Sequence, residues 1–144
     1  MEPSKLRRPA APILIVAAAL ALWAAAAPAR AHHRAPRLPL RVCDHEWWRG
    51  TWHVKQLIKC AAHRWDVPGG TRKALAVAAC ESGFRPDAYN PAGYAGVFQQ
   101  AVRYWPMRAA HYGLPGRSPF NARANVIVSI RMAAAVGWGP WGCA

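Results

Sequence analysis

Apolar positions recur at helical spacing in four stretches of the chain. The first runs from Asp44, a residue suited to N-capping, to Arg64, and carries Trp48, Trp52, Leu57, Ile58 and Ala61. Pro68-Gly69-Gly70 interrupts it. A second helix is predicted with Thr71 as its cap, through Leu75, Ala76, Ala79 and Cys80, ending at Gly83. Between 84 and 98 the periodicity stops, and Pro86, Pro91, Gly93 and Gly96 stand among aromatics; this segment reads as a structured loop or short hairpin. Helical spacing resumes over Ala101 to Tyr112, with Pro106 as a kink or a first-turn residue. A last helix is expected from about Asn121 to Val136, before the terminal GWGPWGCA. There is no internal repeat and no alternation of strand and helix patterns. The fold class expected is mostly α (α+β), a single domain with a little β structure near 84–98.

Two segments precede that domain. Lys5, Arg7 and Arg8 form a basic head, Ile13 to Ala27 a short apolar run, and APARA offers small-residue cleavage patterns after Ala29 or Ala31. Together they describe a secretory signal peptide over 1–31. The alternative is an uncleaved anchor, but the run is shorter than the roughly 17–25 residues a spanning helix needs. No stable membrane insertion is therefore expected after cleavage, and the protein is expected to be secreted to the cell envelope. Residues 32–42, rich in Pro and Arg, read as a disordered linker, which places the domain at 43–144.

Charge and cysteine content narrow the setting. Nineteen Lys and Arg against six acids give a net charge of +13, which favours polyanionic surroundings. The basic residues are scattered, so a solvated cationic surface is as good a reading as a binding surface. Export and the lack of a recognition motif argue against nucleic acid as a partner. The four cysteines, Cys43, Cys60, Cys80 and Cys143, all follow the signal segment, and an even number in a small exported domain points to disulfides with three possible pairings. Zinc is the rival, since His45, His53 and His63 lie near Cys43 and Cys60, but no Cys-x-x-Cys pair is present; no metal or cofactor is expected.

One acid stands out in this acid-poor chain. Glu81, in CESGFRPDAYNPAGYAGVFQQ, falls in the last turn of the second predicted helix, where the helix dipole disfavours a carboxylate by about 0.3–1 kcal/mol. Burial against Tyr89, Tyr94 and Phe98 from the next segment would favour the protonated form further. A proton-donating Glu in an apolar cleft is what glycosidic bond cleavage requires. Pairing with Arg85, at i+4, would make it an ordinary surface acid instead, and spacing alone leaves the two readings level.

The stretch Ala79 to Gln99 resembles the catalytic segment of soluble lytic transglycosylases and goose-type lysozymes. The matching residues are Glu81-Ser82, Pro86, Ala88, Gly93-Tyr94 and Gly96-Val97-Phe98-Gln99, and PFNARANVIVSIR resembles the later Asn-bearing helix, with Asn125 as its Asn. The likeness spans about residues 71–140. It implies a lysozyme-like fold, Glu81 as the catalytic acid, and Ser82, Tyr94, Gln99 and Asn125 on the substrate side. It further implies peptidoglycan glycan strands as partner and no cofactor. Cys80-Glu81-Ser82-Gly83 and the terminal Gly-Trp-Gly-x-Trp segment before Cys143 are similar to resuscitation-promoting-factor domains, and that likeness implies a Cys80–Cys143 disulfide. Cys43–Cys60 is expected beside it, stapling the first helix to the segment before it. The Ala-Tyr-Asn-Ala-Gly motif of the transglycosylases is absent; AAAVGWGPWG stands in its place, without a counterpart for its substrate-holding Tyr.

The resulting expectation is a monomeric peptidoglycan lytic transglycosylase working with one carboxylate. Two alternatives remain. A cationic module that binds the envelope without cutting would not need Glu81. A two-carboxylate hydrolase would need a second acid about 5–9.5 Å away, for which Asp87 is the one conceivable candidate. Trp47, Trp48 and Trp52 are expected in the core or on the helix surface.

Overall fold

A computed structural model describes residues 36–144. The expected signal peptide, 1–31, and the first four residues of the expected linker lie outside the described residues.

Four helices build the body: α1 (Thr51–Arg64), α2 (Gly70–Ser82), α3 (Trp105–His111) and α4 (Ala122–Val136). Helix α1 starts later than its apolar spacing suggests. Trp47–Arg49 forms a separate 3-10 turn, and Gly50, at φ +119°, makes a break that Asp44 was expected to cap from further upstream. A left-handed φ of this kind suits glycine and disfavours any side chain. The buried face of α1 is Val54, Leu57, Ile58, Ala61 and Ala62, and Trp48 and Trp52 point outward, 66% and 64% exposed.

In α2 the cap is Gly69 and not Thr71, which lies inside the helix. The buried stripe is Ala74, Val77 and Ala78, whereas Leu75 is only half-buried and Ala76 and Ala79 face out. In a helix so rich in alanine the apolar contrast between faces is weak, so the pattern did not reveal which side is covered. The helix ends as expected. Gly83 is left-handed at φ +62°, its N–H donates to Ala79 O at 2.9 Å, and the next N–H donates to Ala78 O at 3.3 Å. This wraps the last turn in the Schellman manner.

Pro106 sits in the first turn of α3, where its missing N–H costs nothing. Helix α4 is capped by Asn121, whose side chain accepts from the Ala124 N–H at 3.0 Å. Every residue from 122 to 130 is buried, so α4 is the axis on which the other elements pack. Leu57, Ile58, Phe98, Ile127 and Ile130 are among the largest side chains enclosed.

Between α2 and α3 the chain forms a three-stranded antiparallel sheet of two-residue strands, β1 (Tyr89–Asn90), β2 (Tyr94–Ala95) and β3 (Gln100–Ala101). Tyr89 pairs with Ala95 and Asn90 with Tyr94; Tyr94 also pairs with Ala101 and Ala95 with Gln100. The NPAG turn is closed by Asn90, whose Oδ1 accepts from the Ala92 N–H at 2.9 Å and whose carbonyl accepts from Gly93 at 2.8 Å. The β structure thus extends past the expected 84–98. The described part of the chain is a helical α+β unit, and none of its helices is long and apolar enough to cross a membrane.

Cys43 is bonded to Cys60 and Cys80 to Cys143, the pairs expected. All four thiols are consumed, which removes the Cys/His zinc alternative. The linker reading needs correction for residues 36–42, which lie against the body. Leu38 N–H donates to Gly113 O at 2.9 Å, and the Arg123 guanidinium donates to Val42 O and Pro39 O, both at 2.9 Å.

Candidate active site

Glu81 opens into a cleft of about 410 Å³ built mainly by three parts of the chain, with Met132 of α4 added. The sheet gives one wall through Asn90, Tyr94, Gln99 and Gln100. The turn into α3 gives Arg103, Tyr104 and Arg108. The C-terminal loop, Pro140 to Cys143, closes the side next to Glu81. Among the described residues Glu81 is the single acid lining this cleft. Asp87, the candidate second carboxylate, is exposed and does not line it.

The acid is positioned from two directions. The last turn of α2 sets its backbone, and the Cys143 N–H donates to its Oε1 at 3.3 Å. Cys80, the residue before it, is tied to that same Cys143. The tail is held in turn by its tryptophans. Trp141 donates through Nε1 to Phe98 O at 3.0 Å, Trp138 to Pro68 O at 2.7 Å, and the Trp138 ring stacks on Phe98 with centroids 6.0 Å apart. Arg85 does not pair with Glu81; its Nε donates to Ser82 O at 3.1 Å.

The aromatic shield expected around Glu81 is only partly present. Tyr94 lines the cleft and is 41% exposed. Phe98 is fully buried in the core beneath Trp138, and Tyr89 is exposed beside Phe120 and does not line the cleft. Asn90 pairs with Tyr94 and both line the cleft, so strand alternation sends Tyr89, the neighbour of Asn90, to the opposite face, and Phe98 lies outside the strands.

The remaining residues singled out in the sequence divide the same way. Gln99 lines the cleft at φ +45°, with its Nε2 donating to Gly96 O at 2.9 Å and Ala88 O at 3.2 Å. Ser82 and Asn125 do not line it. The Ser82 hydroxyl, buried, donates to Val97 O at 2.7 Å and accepts from the Arg85 N–H at 3.2 Å. Asn125, wholly buried, accepts from the Phe98 N–H at 2.8 Å and donates to Ala95 O at 3.0 Å and Pro119 O at 2.9 Å. Its side chain satisfies two buried backbone groups of the loop, where each would otherwise cost about 1–3 kcal/mol, and a partly buried carbonyl of the segment leading into α4. Gly96 lets it do so. A Cβ there, at φ +79°, would collide with Pro119 O and with the Asn125 amide. These two polar residues hold the cleft's surroundings from the interior and do not line it.

Sequence reasoning missed Gln100, Arg103, Tyr104 and Arg108. Their one sequence signal is the Gln-Gln at 99–100, of which the motif accounts for only the first. No protein-family model, curated protein or solved structure matches the chain.

Proposed function

We propose that the protein is a peptidoglycan-cleaving lytic transglycosylase with a lysozyme-like fold, acting in the cell envelope with Glu81 as its one catalytic carboxylate. The observation that carries this reading is the lone acid. A single carboxylate closes the last turn of a helix and faces a cleft with exposed tyrosines, in a stretch whose motif resembles that of the transglycosylases. Two disulfides suit an oxidising compartment outside the cytoplasm.

One carboxylate is sufficient for this chemistry. The Glu81 carboxyl gives its proton to the glycosidic oxygen as the bond to the anomeric carbon breaks. The carboxylate left behind takes the proton of the 6-hydroxyl on the same sugar. That oxygen closes on the anomeric carbon and yields a 1,6-anhydro-N-acetylmuramic end. The nucleophile is already attached to the reacting sugar, so it has the effective concentration of an intramolecular group, and no water needs a second base. The N–H of Cys143 holds one carboxylate oxygen in place while the other is free to reach the bond being cut.

The test is mass spectrometry of the fragments released from purified peptidoglycan. Anhydro ends are expected, together with a loss of activity of about 10²–10⁴-fold in Glu81→Gln. Reducing ends alone would favour the two-carboxylate hydrolase. Glycan binding without cleavage, unchanged in Glu81→Gln, would favour a non-catalytic envelope module.

A further inference from the structure

Two guanidinium groups line the cleft that holds Glu81, those of Arg103 and Arg108. Both lie over the ring of Tyr104, at 4.7 Å and 5.2 Å from its centroid, so they are no more than about 10 Å apart. Screening at physiological salt acts over about 8 Å, so at this range the repulsion of the like charges is weakened and not abolished. Neither has a carboxylate partner; among the described residues the one ion pair is Arg49–Glu46, which is not part of the cleft.

Arg108 is also held from behind. Its NH1 donates to Gln100 Oε1 at 2.7 Å, and Gln100 Nε2 donates to Ser129 Oγ at 2.8 Å. Gln100 is 2% exposed and Ser129 is fully buried on α4. A buried amide is thus committed to orienting one cation at the cleft wall. A guanidinium carries five N–H donors, and the Gln100 bond uses one. Solvated surface arginines need no such support. Two cations gathered on one ring, one of them braced by a buried relay, suit an anion brought by the substrate.

We propose that Arg103 and Arg108 form a carboxylate-binding subsite that selects acidic glycan over neutral glycan and places it against Glu81. The inference rests on the glycan-cleaving reading and deepens it. The carboxylate has two possible sources with the same chemistry, the lactyl substituent of a muramic sugar or the peptide attached to it.

Binding to the Glu81→Gln protein, which cannot turn substrate over, separates them. Three muramic-containing tetrasaccharides serve as calorimetric probes: one with free lactyl carboxylates, one with those groups capped as methylamides, and one carrying L-alanyl-D-glutamate. At least one acidic probe is expected to bind about tenfold more tightly than the capped one, and the tighter acid identifies the source. Arg103→Gln with Arg108→Gln should abolish the preference. Arg72→Gln with Lys73→Gln removes the same charge from a separate depression beside Trp138 and should preserve it. If Arg108→Gln does not fold, Arg103→Gln and Arg108→Lys take its place, each with a reduced preference expected. The subsite is overturned if the capped probe binds equally well, if the arginine variants keep the preference, or if the Arg72/Lys73 variant loses it as far. Anhydro-forming, Glu81-dependent cleavage without acid preference sinks the subsite alone. Acid preference in a wild-type protein that cuts nothing sinks the transglycosylase reading alone, and failure to bind any probe sinks both.

Discussion

The two disulfides fasten the two ends of the described residues in the same way and to different effect. Cys43–Cys60 spans 17 residues and pins the segment before α1 to that helix, in a region where Trp48 and Trp52 face outward and from which the proposed acid, Glu81, is remote in sequence. Cys80–Cys143 spans 63 residues and joins the end of α2 to the C-terminal loop, one residue from Glu81 and through the very residue whose N–H holds its carboxylate. The first region is anchored redundantly, since Arg123 and Gly113 also hold residues 38–42 by hydrogen bonds. The second depends on the crosslink and two tryptophans. The contrast is that one crosslink carries a hydrogen-bonding group to Glu81, the acid proposed to react, whereas the other joins parts of the chain away from it.

The largest effect is expected at the second crosslink. Cys80→Ser with Cys143→Ser frees a long loop, which the loop-entropy relation values at about 4 kcal/mol. The tail then loses its hold on Glu81 as well, so activity per folded molecule should fall, whereas a purely structural staple would lower only the melting temperature. Unaltered specific activity at a temperature where the variant is still folded would break the distinction between the two ends.

Asn125→Ala comes next. It removes the side-chain partner of the buried Phe98 N–H and Ala95 carbonyl and of the partly buried Pro119 carbonyl, at a cost of about 3–4 kcal/mol given about 1–3 for each unsatisfied group and some relaxation. Urea unfolding measures this directly. A loss below about 1 kcal/mol would mean that Asn125 is not the clamp on the loop, and would reopen a role for it at the substrate. The companion change at the other end, Cys43→Ser with Cys60→Ser, should cost about 3 kcal/mol by the same loop relation and leave the proposed cleavage activity of the folded protein at the wild-type level. An activity defect there would show that the α1 end communicates with the cleft.

These contrasts also mark what the sequence could and could not reveal. The C-terminal end of α2 and the start of α4 were legible because Gly83 and Asn121 act locally, through a left-handed turn and a side-chain cap. The position of Glu81 in the last turn of α2 followed from the same signal. The start of α1 was misplaced because the Trp-rich run imitates an apolar stripe, and Gly50 cuts it without altering that spacing. Within the site, the motif supplied residue types but not directions. Ser82 and Asn125 match it and turn inward, Tyr94 and Gln99 match it and turn to the cleft. The Cys143 contact to Glu81 crosses 62 residues, and the Gln100–Ser129 relay behind Arg108 crosses 29. Neither leaves a trace in local periodicity, so the cationic wall stayed hidden until the chain was folded.

The smallest effect is expected at Asp87, and it bears most directly on the reaction. A second carboxylate in an inverting hydrolase stands about 6.5–9.5 Å from the acid with a water between them, and in a retaining one at about 5–5.5 Å. Either role needs the side chain in the cleft, and Asp87 is exposed outside its lining. Neither does it belong to any ion pair among the described residues. Asp87→Asn should therefore shift stability by less than about 0.5 kcal/mol, as surface changes usually do, and should alter the cleavage rate by less than about threefold, far from the roughly 10²–10⁴-fold expected at a general acid–base group. The informative measurement sets its rate and end-products beside those of Glu81→Gln on the same peptidoglycan. Equal inactivity of the two variants would mean that the loop after α2 closes on the substrate and brings Asp87 in, and the one-carboxylate mechanism would then give way to hydrolysis.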